Sequence, residues 1–311
     1  DDGGSQWIWS SRGFGGLDLQ NVEAGAGAVL AGTWGNGVFR RTSRGWIRSN
    51  TGLLGGAIDG PFGFMDEIDA GPGSAVVYTK ELNDGFYRSG DRGRTWTLIQ
   101  RGPDAPSYVA IVPGTPNHVF TTDDYLGVQE STDGGRHWTA RNAGLPTRDG
   151  YVFAGRVTLD LTDPERLYLG MEHDVYASSN GGTSWVASGP GIPHRLWYPR
   201  PVVDPMAPRT LFVLTDHVLY RSTDRGRTWS PLSGAPDHVT HLAFDASGVV
   251  YAVNGSRRGV FASTDGGVTW QTVHGGLPGP ALDVTVSSGP PEETLFVATP
   301  TGVSELPTRL R

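Results

Sequence analysis

The sequence of 311 residues contains no cysteine, and among its 25 basic residues only Lys80 is a lysine. Without cysteine the chain has no disulfide framework, no thiolate zinc site and no cysteine nucleophile. No apolar run approaches the roughly 18 residues of a membrane-spanning helix, so we expect no membrane span. A formal net charge of −7 argues against a nucleic-acid partner. The strong preference for arginine over lysine is typical of a GC-rich bacterial genome.

Glycine and proline are abundant instead, with 46 and 22 residues respectively. Such a composition can indicate disorder, but 10 Trp, 10 Tyr and 11 Phe supply too much apolar surface for a disordered chain. The composition therefore predicts a folded, turn-rich, mostly β protein that is large enough to bury a substantial core.

An eight-residue pattern, Ser-x-Asp/Asn-x-Gly-x-x-Trp, occurs five times, and the intervals between its Trp residues are 42, 47, 44 and 41 residues. A degenerate sixth copy ends at Trp46. Periods of about 40–45 residues indicate a propeller or another repeat array. The five full copies occupy residues 89–96, 131–138, 178–185, 222–229 and 263–270.

Short runs that alternate apolar and polar residues surround each copy, as half-buried strands do. They give four strands per unit, and seven units account for nearly the whole chain. We therefore predict an all-β, seven-bladed β-propeller of four-stranded blades, forming one domain over residues 1–311. Residues 6–10 are predicted to complete the last blade as its outer strand, which closes the ring and removes an exposed sheet edge.

Within each copy, an Asp or Asn side chain can accept hydrogen bonds from backbone N–H groups of the following turn. Glycine at the fifth position permits a positive φ, and the closing Trp offers an apolar face for packing between blades. We therefore assign a structural, turn-building role to Asp91, Asp133, Asn180, Asp224 and Asp265.

With these five copies the chain resembles the Asp-box (BNR) β-propellers, which include sialidases, xyloglucanase-type glycosidases, sortilin-type receptors and photosystem II assembly factors. The resemblance implies that ligands bind on the face opposite the boxes, around the central channel. It also suggests export to the periplasm or the exterior of a bacterium, although a cytoplasmic location stays open. Length and blade number match the photosystem II assembly factors best. Sialidases carry an Arg-Ile-Pro motif, which is missing here.

The loops that the resemblance assigns to this opposite face contain aromatic, acidic and histidine residues that turns do not require. A pocket lined by aromatic side chains and a few polar groups is the usual form of a small-molecule site. The candidate ligand-binding residues are Trp34, Phe62, Phe64, Asp66, Tyr125, Tyr151, Arg156, His173, Trp197, Tyr198, Arg200, His217 and His238.

Three functions remain open. The first is a non-catalytic propeller that binds a small molecule, a glycan or a partner protein. The second is a glycoside hydrolase with paired carboxylates, and the third is a lyase or cyclase that acts on a small apolar metabolite through His or Asp acid–base chemistry. We expect a monomer with no cofactor and no metal, because the histidines form no compact ligand set. The candidate catalytic residues are Glu67, Asp124, Glu172 and His194.

Overall fold

The computed structural model describes residues 7–10, 12, 14, 19–25, 27–54, 65–71, 74–81, 85–101, 106–123, 125–193, 199–256, 259–273, 276–287 and 293–308, and for residues 65–67 it describes the backbone alone. The regular structure in these ranges consists of β-strands. No helix occurs among them, and hence no helix long and apolar enough to cross a membrane.

One compact unit comprises Asp1–Pro103 and Thr240–Arg311 and contains four sheets, each four-stranded and antiparallel. Sheet 1 consists of β2 (Leu19–Gly25), β3 (Ala28–Thr33), β4 (Gly37–Thr42) and β5 (Gly45–Arg48). Sheet 2 consists of β6 (Met65–Ala70), β7 (Val77–Glu81), β8 (Gly85–Ser89) and β9 (Thr97–Arg101). Sheet 6 consists of β22 (His241–Phe244), β23 (Val250–Val253), β24 (Val260–Ser263) and β25 (Gln271–Val273). Sheet 7 consists of β26 (Asp283–Ser287), β27 (Thr294–Thr299), β28 (Gly302–Pro307) and β1 (Ile8–Trp9).

The other compact unit, Asp104–Val239, contains three sheets of the same kind. Sheet 3 consists of β10 (Tyr108–Ile111), β11 (Val119–Asp123), β12 (Gly127–Ser131) and β13 (Thr139–Ala140). Sheet 4 consists of β14 (Ala154–Leu159), β15 (Leu167–Met171), β16 (Val175–Ser178) and β17 (Val186–Ala187). Sheet 5 consists of β18 (Arg200–Val203), β19 (Leu211–Leu214), β20 (Tyr220–Ser222) and β21 (Ser230–Pro231).

The fold class is therefore an all-β, seven-bladed β-propeller with four-stranded antiparallel blades, as the sequence predicts. The N-terminal segment also has the predicted place, because β1 pairs with β28 and aligns Ile8 with Glu305. That the whole chain forms a single domain stays a prediction.

The core lies between successive sheets within each unit. In sheets 1 to 6 the second strand is the most buried, and on β7 even Lys80, at 8% exposure, is buried. One cluster joins sheets 3 and 4 through residues such as Phe120, Leu169 and Trp185, and another joins sheets 4 and 5. The alternating strand pattern thus buries apolar side chains against the neighbouring sheet in the chain order.

A second repeated feature fixes the contact between neighbouring sheets, and the sequence reading missed it. After an outer strand comes a glycine followed by Leu or Ile, in segments that we name the Gly-Leu segments, residues 51–53, 143–145 and 190–192. In the second of these, the carbonyl of Ala143 accepts a 2.9 Å bond from the backbone N–H of Trp185 in the next sheet. The indole Nε1 of the same Trp185 donates to the Arg141 carbonyl at 2.7 Å. The repeated Trp therefore anchors each of these sheets to the sheet before it.

Buried aspartates close several turns between first and second strands. Asp160, Asp204 and Asp245 each accept a 2.9 Å hydrogen bond at Oδ1 from the backbone N–H two residues later. All three residues are buried. Because a buried carboxylate needs hydrogen bonds, these Asx turns make the aspartates part of the scaffold and not of an open site.

Candidate functional site

The five eight-residue copies form closely similar turns, which we name the repeat turns. In the copy at 222–229, Asp224 Oδ1 accepts hydrogen bonds from the Ser222 hydroxyl at 2.7 Å and the Thr228 backbone N–H at 2.9 Å. The Thr228 hydroxyl donates to Oδ2 at 2.6 Å. Asn180 holds its own turn in the same way, with its Oδ1 accepting from the Ser184 backbone N–H at 3.0 Å.

These hydrogen bonds also determine the ionisation of the repeat carboxylates. The hydroxyl of Thr228, followed by that of Ser222, lowers the pKa of Asp224 from 3.8 to about 2. The Thr269 hydroxyl and backbone N–H lower the pKa of Asp265 to about 2 in the same way. A carboxylate that already accepts several hydrogen bonds and stays ionised at low pH is a poor general acid.

The fourth position of the repeat turns has a backbone conformation that the sequence reading did not anticipate. Arg92 and Arg225 occupy it with φ values of 64°, although the left-handed region favours glycine. The other three copies have Gly134, Gly181 and Gly266 there, also with positive φ. The turn therefore requires two consecutive left-handed residues, at the fourth and fifth positions.

On sheets 3 and 4, three loops meet on the side away from the repeat turns. They are the β11–β12 turn, the connection from β13 to β14 and the β15–β16 turn. The backbone N–H of Val152 in the connection donates to the Tyr125 carbonyl in the first turn at 3.1 Å. Arg148 Nη1 donates to both carboxylate oxygens of Glu172 in the third turn, at 2.9 and 2.7 Å.

Local sequence explains why these loops hold their shape. Asp123 Oδ1 accepts the backbone N–H groups of Tyr125 and Leu126 at 2.8 and 3.0 Å, which is an Asx turn. In the connection, Arg148 and Tyr151 exchange two 3.0 Å backbone hydrogen bonds across Asp149 and Gly150. Both central residues have positive φ, 53° and 84°, as a two-residue Asp-Gly turn of type I′ requires.

The loops bring together a group of side chains that we name the aromatic patch, comprising Tyr125, Arg148, Tyr151, Phe153 and Glu172. Its three rings pack edge to face, with centroid distances of 5.7, 5.8 and 6.5 Å. Tyr125 and Tyr151 remain 56% and 50% exposed. The guanidinium of Arg148 lies 4.4 Å from the centre of the Phe153 ring. The patch therefore presents two tyrosine rings beside an ion pair.

Arg148 holds this arrangement from two sides, through Glu172 and through Phe153. Its side chain is 56% exposed, so the ion pair adds little to stability and acts mainly by fixing positions. His173 lies at the edge, with Nε2 3.9 Å from Glu172 Oε1. Exposed rings with adjacent charged groups can bind a ligand that has both apolar faces and hydroxyl groups.

The structure brings four of the sequence-derived candidates together here, namely Tyr125, Tyr151, Glu172 and His173. It also adds Arg148 and Phe153, which the sequence reading did not select. The signal that could have found them was the Asp-Gly pair between Arg148 and Tyr151, which predicts a tight hairpin and places its flanking side chains side by side.

Other candidates lie elsewhere. Arg156 is on β14, with its guanidinium 5.8 Å from the centre of the Tyr108 ring, and Arg200 begins β18. Trp34 is an exposed residue after β3 in sheet 1. His217 and His238 face each other in unit Asp104–Val239, with ring centroids 4.9 Å apart.

Several candidates cannot be placed in a site. Asp66 and Glu67 lie on β6, and for these two residues the structure describes only the backbone. Those outside the described residues are Phe62, Phe64, Asp124, His194, Trp197 and Tyr198.

Residues 167–305 match the family model of the DUF6242 beta propeller domain. Among curated proteins, the xyloglucanase of a Paenibacillus species is 26% identical over 273 residues, which cover 71% of this chain and 26% of that protein. The chain thus spans about a quarter of the length of this relative.

Among solved structures, the GH74 enzyme of Niastella koreensis has a TM-score of 0.70 at 18% identity, over 95% of this chain and 44% of that one. YCF48 from Cyanidioschyzon merolae has a TM-score of 0.67 at 13% identity, over 94% of this chain and 95% of that one. A second YCF48 structure contains a bound D1 peptide. At these identities, the structural likeness establishes the fold alone.

Proposed function

We propose that this propeller binds a glycan and that the aromatic patch is its binding surface. The observation on which this depends is that Tyr125 and Tyr151 stay half exposed although three loops hold them in place. A contiguous cluster of exposed rings, unlike a single exposed ring, marks a candidate interaction surface.

The chemistry of the patch suits a sugar. A pyranose ring has apolar C–H faces that can lie against a tyrosine ring, and its hydroxyl groups can bond to Arg148 and Glu172 at the patch edge. The Asx turn at Asp123 and the Asp-Gly turn fix the loops before any ligand arrives. Binding therefore requires little ordering of the protein, which favours affinity.

The similarity to the Paenibacillus xyloglucanase supports xyloglucan-type oligosaccharides as the first ligands to try. Because the chain spans only a quarter of that relative, the activity of the whole relative is not assumed for this chain.

The experiment is a calorimetric titration of the protein with xyloglucan oligosaccharides, comparing wild type with Tyr125→Ala and Tyr151→Ala. We expect each tyrosine variant to bind about tenfold more weakly, because central aromatic contacts contribute on the order of 1–2 kcal/mol. Met206→Ala is the matched control, since Met206 is a similarly exposed apolar side chain in the same unit, on the β18–β19 turn. This control should bind as the wild type does.

Two results would contradict the proposal. One is a wild-type protein that binds none of these oligosaccharides, and the other is tyrosine variants that bind as tightly as Met206→Ala. Binding of a peptide but not of a glycan would favour the partner-protein function instead, in line with the YCF48 likeness.

Glycoside hydrolysis is a second candidate, supported by Glu172 in the patch and by the likeness to xyloglucanases. Hydrolysis also requires a second carboxylate. Glu67, Asp124 and His194 stay proposals as catalytic groups, since their side chains lie outside what the structure describes. Release of reducing ends from xyloglucan by the wild type, and its loss in Glu172→Gln, would establish this activity. If neither the wild type nor Glu172→Gln releases reducing ends although both bind the oligosaccharide, binding is the function.

We also propose that the repeat turns are Asp boxes and that their Asp and Asn side chains act in turn-building. The shared hydrogen-bond pattern and the lowered carboxylate pKa values support this role. We further propose that the chain forms a single propeller domain, that it is a monomer and that it is exported.

A further inference from the structure

We infer that His217 and His238 form a binding site for a first-row divalent transition metal ion, and that Cu²⁺ binds there most tightly. The pair lies in unit Asp104–Val239, and none of its members belongs to the aromatic patch. This site goes beyond the proposed glycan binding and does not depend on it.

The spacing of the two imidazole rings matches shared coordination. Their centroids are 4.9 Å apart and the rings are inclined by 73°. With metal–nitrogen distances of 2.0–2.1 Å, two imidazoles on one ion have centroids about 4.5 Å apart at a right angle and about 5.2 Å apart at a tetrahedral angle. The observed spacing falls between these two values.

The backbone at both histidines has a defined local conformation. His217 lies in a turn in which the Thr215 hydroxyl donates to the Val218 carbonyl at 2.7 Å and accepts the Val218 N–H at 3.0 Å. His238 has a φ of 56°, a left-handed conformation that is uncommon outside glycine, and buried Val239 follows it. Both imidazole side chains are exposed, so each ring can turn about χ2 to direct a nitrogen at a shared ion.

The sequence around the two histidines is acidic. An aspartate precedes each histidine, Asp216 before His217 and Asp237 before His238, in a chain with a net charge of −7. Among the residues that the structure describes, no three His, Cys, Asp or Glu side chains are grouped as metal ligands. Two imidazoles from the described residues, with water in the remaining positions, would make an open metal site and not a closed structural zinc site. For such a nitrogen site, Cu²⁺ binds most tightly of the first-row divalent ions.

The test is a titration with CuCl₂ slightly above neutral pH, where imidazole is unprotonated. It compares wild type with His217→Ala and His238→Asn, because asparagine tolerates the left-handed conformation. We expect one tight Cu²⁺ per wild-type chain and at least about tenfold weaker binding in each variant, since even the loss of a supporting group costs 10–100-fold. His137→Ala is the control, since it removes an exposed histidine of a repeat turn in the same unit, and it should bind as the wild type does.

Electron paramagnetic resonance of the wild-type complex gives a measure that is independent of how the variants fold. Hyperfine coupling to two imidazole nitrogens supports the site, whereas coupling to one nitrogen overturns it. The inference also fails if either variant retains wild-type affinity, or if His137→Ala weakens binding as much as they do.

Discussion

Gly144 shows how the absence of one Cβ allows two sheets to meet. It lies in the second Gly-Leu segment with a φ of +88°, and a Cβ added there would stand 2.2 Å from the Trp185 carbonyl oxygen. Gly52 and Gly191 approach Trp96 and Trp229 just as closely, at 1.9 and 2.0 Å. Glycine is therefore required at this position by contact with the next sheet as well as by backbone conformation.

Gly144→Ala should be much more destabilising than Gly114→Ala. Both glycines have positive φ, but a Cβ at Gly114 would meet no atom within 4 Å. We expect Gly114→Ala to cost about 1 kcal/mol from the left-handed backbone. Gly144→Ala should cost roughly 1–3 kcal/mol more, because the clash forces sheets 3 and 4 apart. Chemical denaturation of both variants measures the difference, and equal losses would show that the close contact is unimportant.

The carboxylate of Asp224 should make the stability of the protein sensitive to acid. Because hydrogen bonds from Thr228 and Ser222 lower its folded pKa to about 2, the stabilisation is present above the unfolded pKa near 4. It is lost as the pH falls from about 4 to about 2, where the folded carboxylate takes up its proton.

Asp224→Asn should reduce this acid sensitivity while keeping the turn, because Asn180 already forms the equivalent hydrogen bonds in its own copy. Melting temperatures at neutral pH and near pH 3 provide the measurement. The drop between the two conditions should be smaller in the variant than in the wild type. An identical drop would mean that Asp224 does not contribute to acid unfolding.

At the scale of the element, β1 is a two-residue strand with more contacts than its length suggests. The strand pairs with β28. Ser10, which follows β1, donates its backbone N–H to the Val303 carbonyl at 2.9 Å. The Ser10 hydroxyl also accepts a 3.3 Å bond from the Trp46 indole of sheet 1. Trp7 packs against the core between sheets 6 and 7. The segment therefore stabilises two sheets besides shielding the edge of β28.

Removal of residues 1–12 should lower the melting temperature, because it removes these contacts and exposes the β28 edge. A matched truncation of residues 1–6 leaves β1 in place and should melt close to the full chain. Differential scanning calorimetry gives both values. If the longer truncation melts at the wild-type temperature, β1 does not close the last sheet in solution.

The strands and the repeat turns could be predicted because their signals are local. Alternation of apolar residues identifies strands, and the Ser-x-Asp-x-Gly spacing identifies the turns. The positive φ of Arg92 and Arg225 could not be predicted, since arginine gives no local sign of a left-handed backbone. The Gly-Leu segments escaped notice because the requirement for glycine arises from a carbonyl of another sheet.

At the scale of the whole molecule, the repeat period and strand count were enough to predict seven four-stranded blades. The site was less predictable because its members lie on three loops. Tyr125, Arg148 and Glu172 are far apart in the sequence, and their meeting depends on how β11, β14 and β15 align. The amino-acid composition of the loops indicates which residue types are exposed. It does not indicate which side chains contact one another.

The histidines illustrate the same difference. In the sequence, His238 and His241 are close neighbours, yet the structure pairs His238 with His217. His241 begins β22 and lies 3.8 Å from Asp283 of β26. Spacing along the chain was therefore a poor guide to which histidines touch, because the contact joins two separate segments.

The burial of Lys80 has a practical consequence for chemical labelling. With one lysine in the chain and its side chain enclosed on β7, the folded protein offers amine-reactive reagents almost no lysine surface. Covalent attachment to a sensor through lysine would therefore select molecules that have opened sheet 2. Conversely, mass-spectrometric detection of acylated Lys80 after treatment with such a reagent reports opening of this sheet.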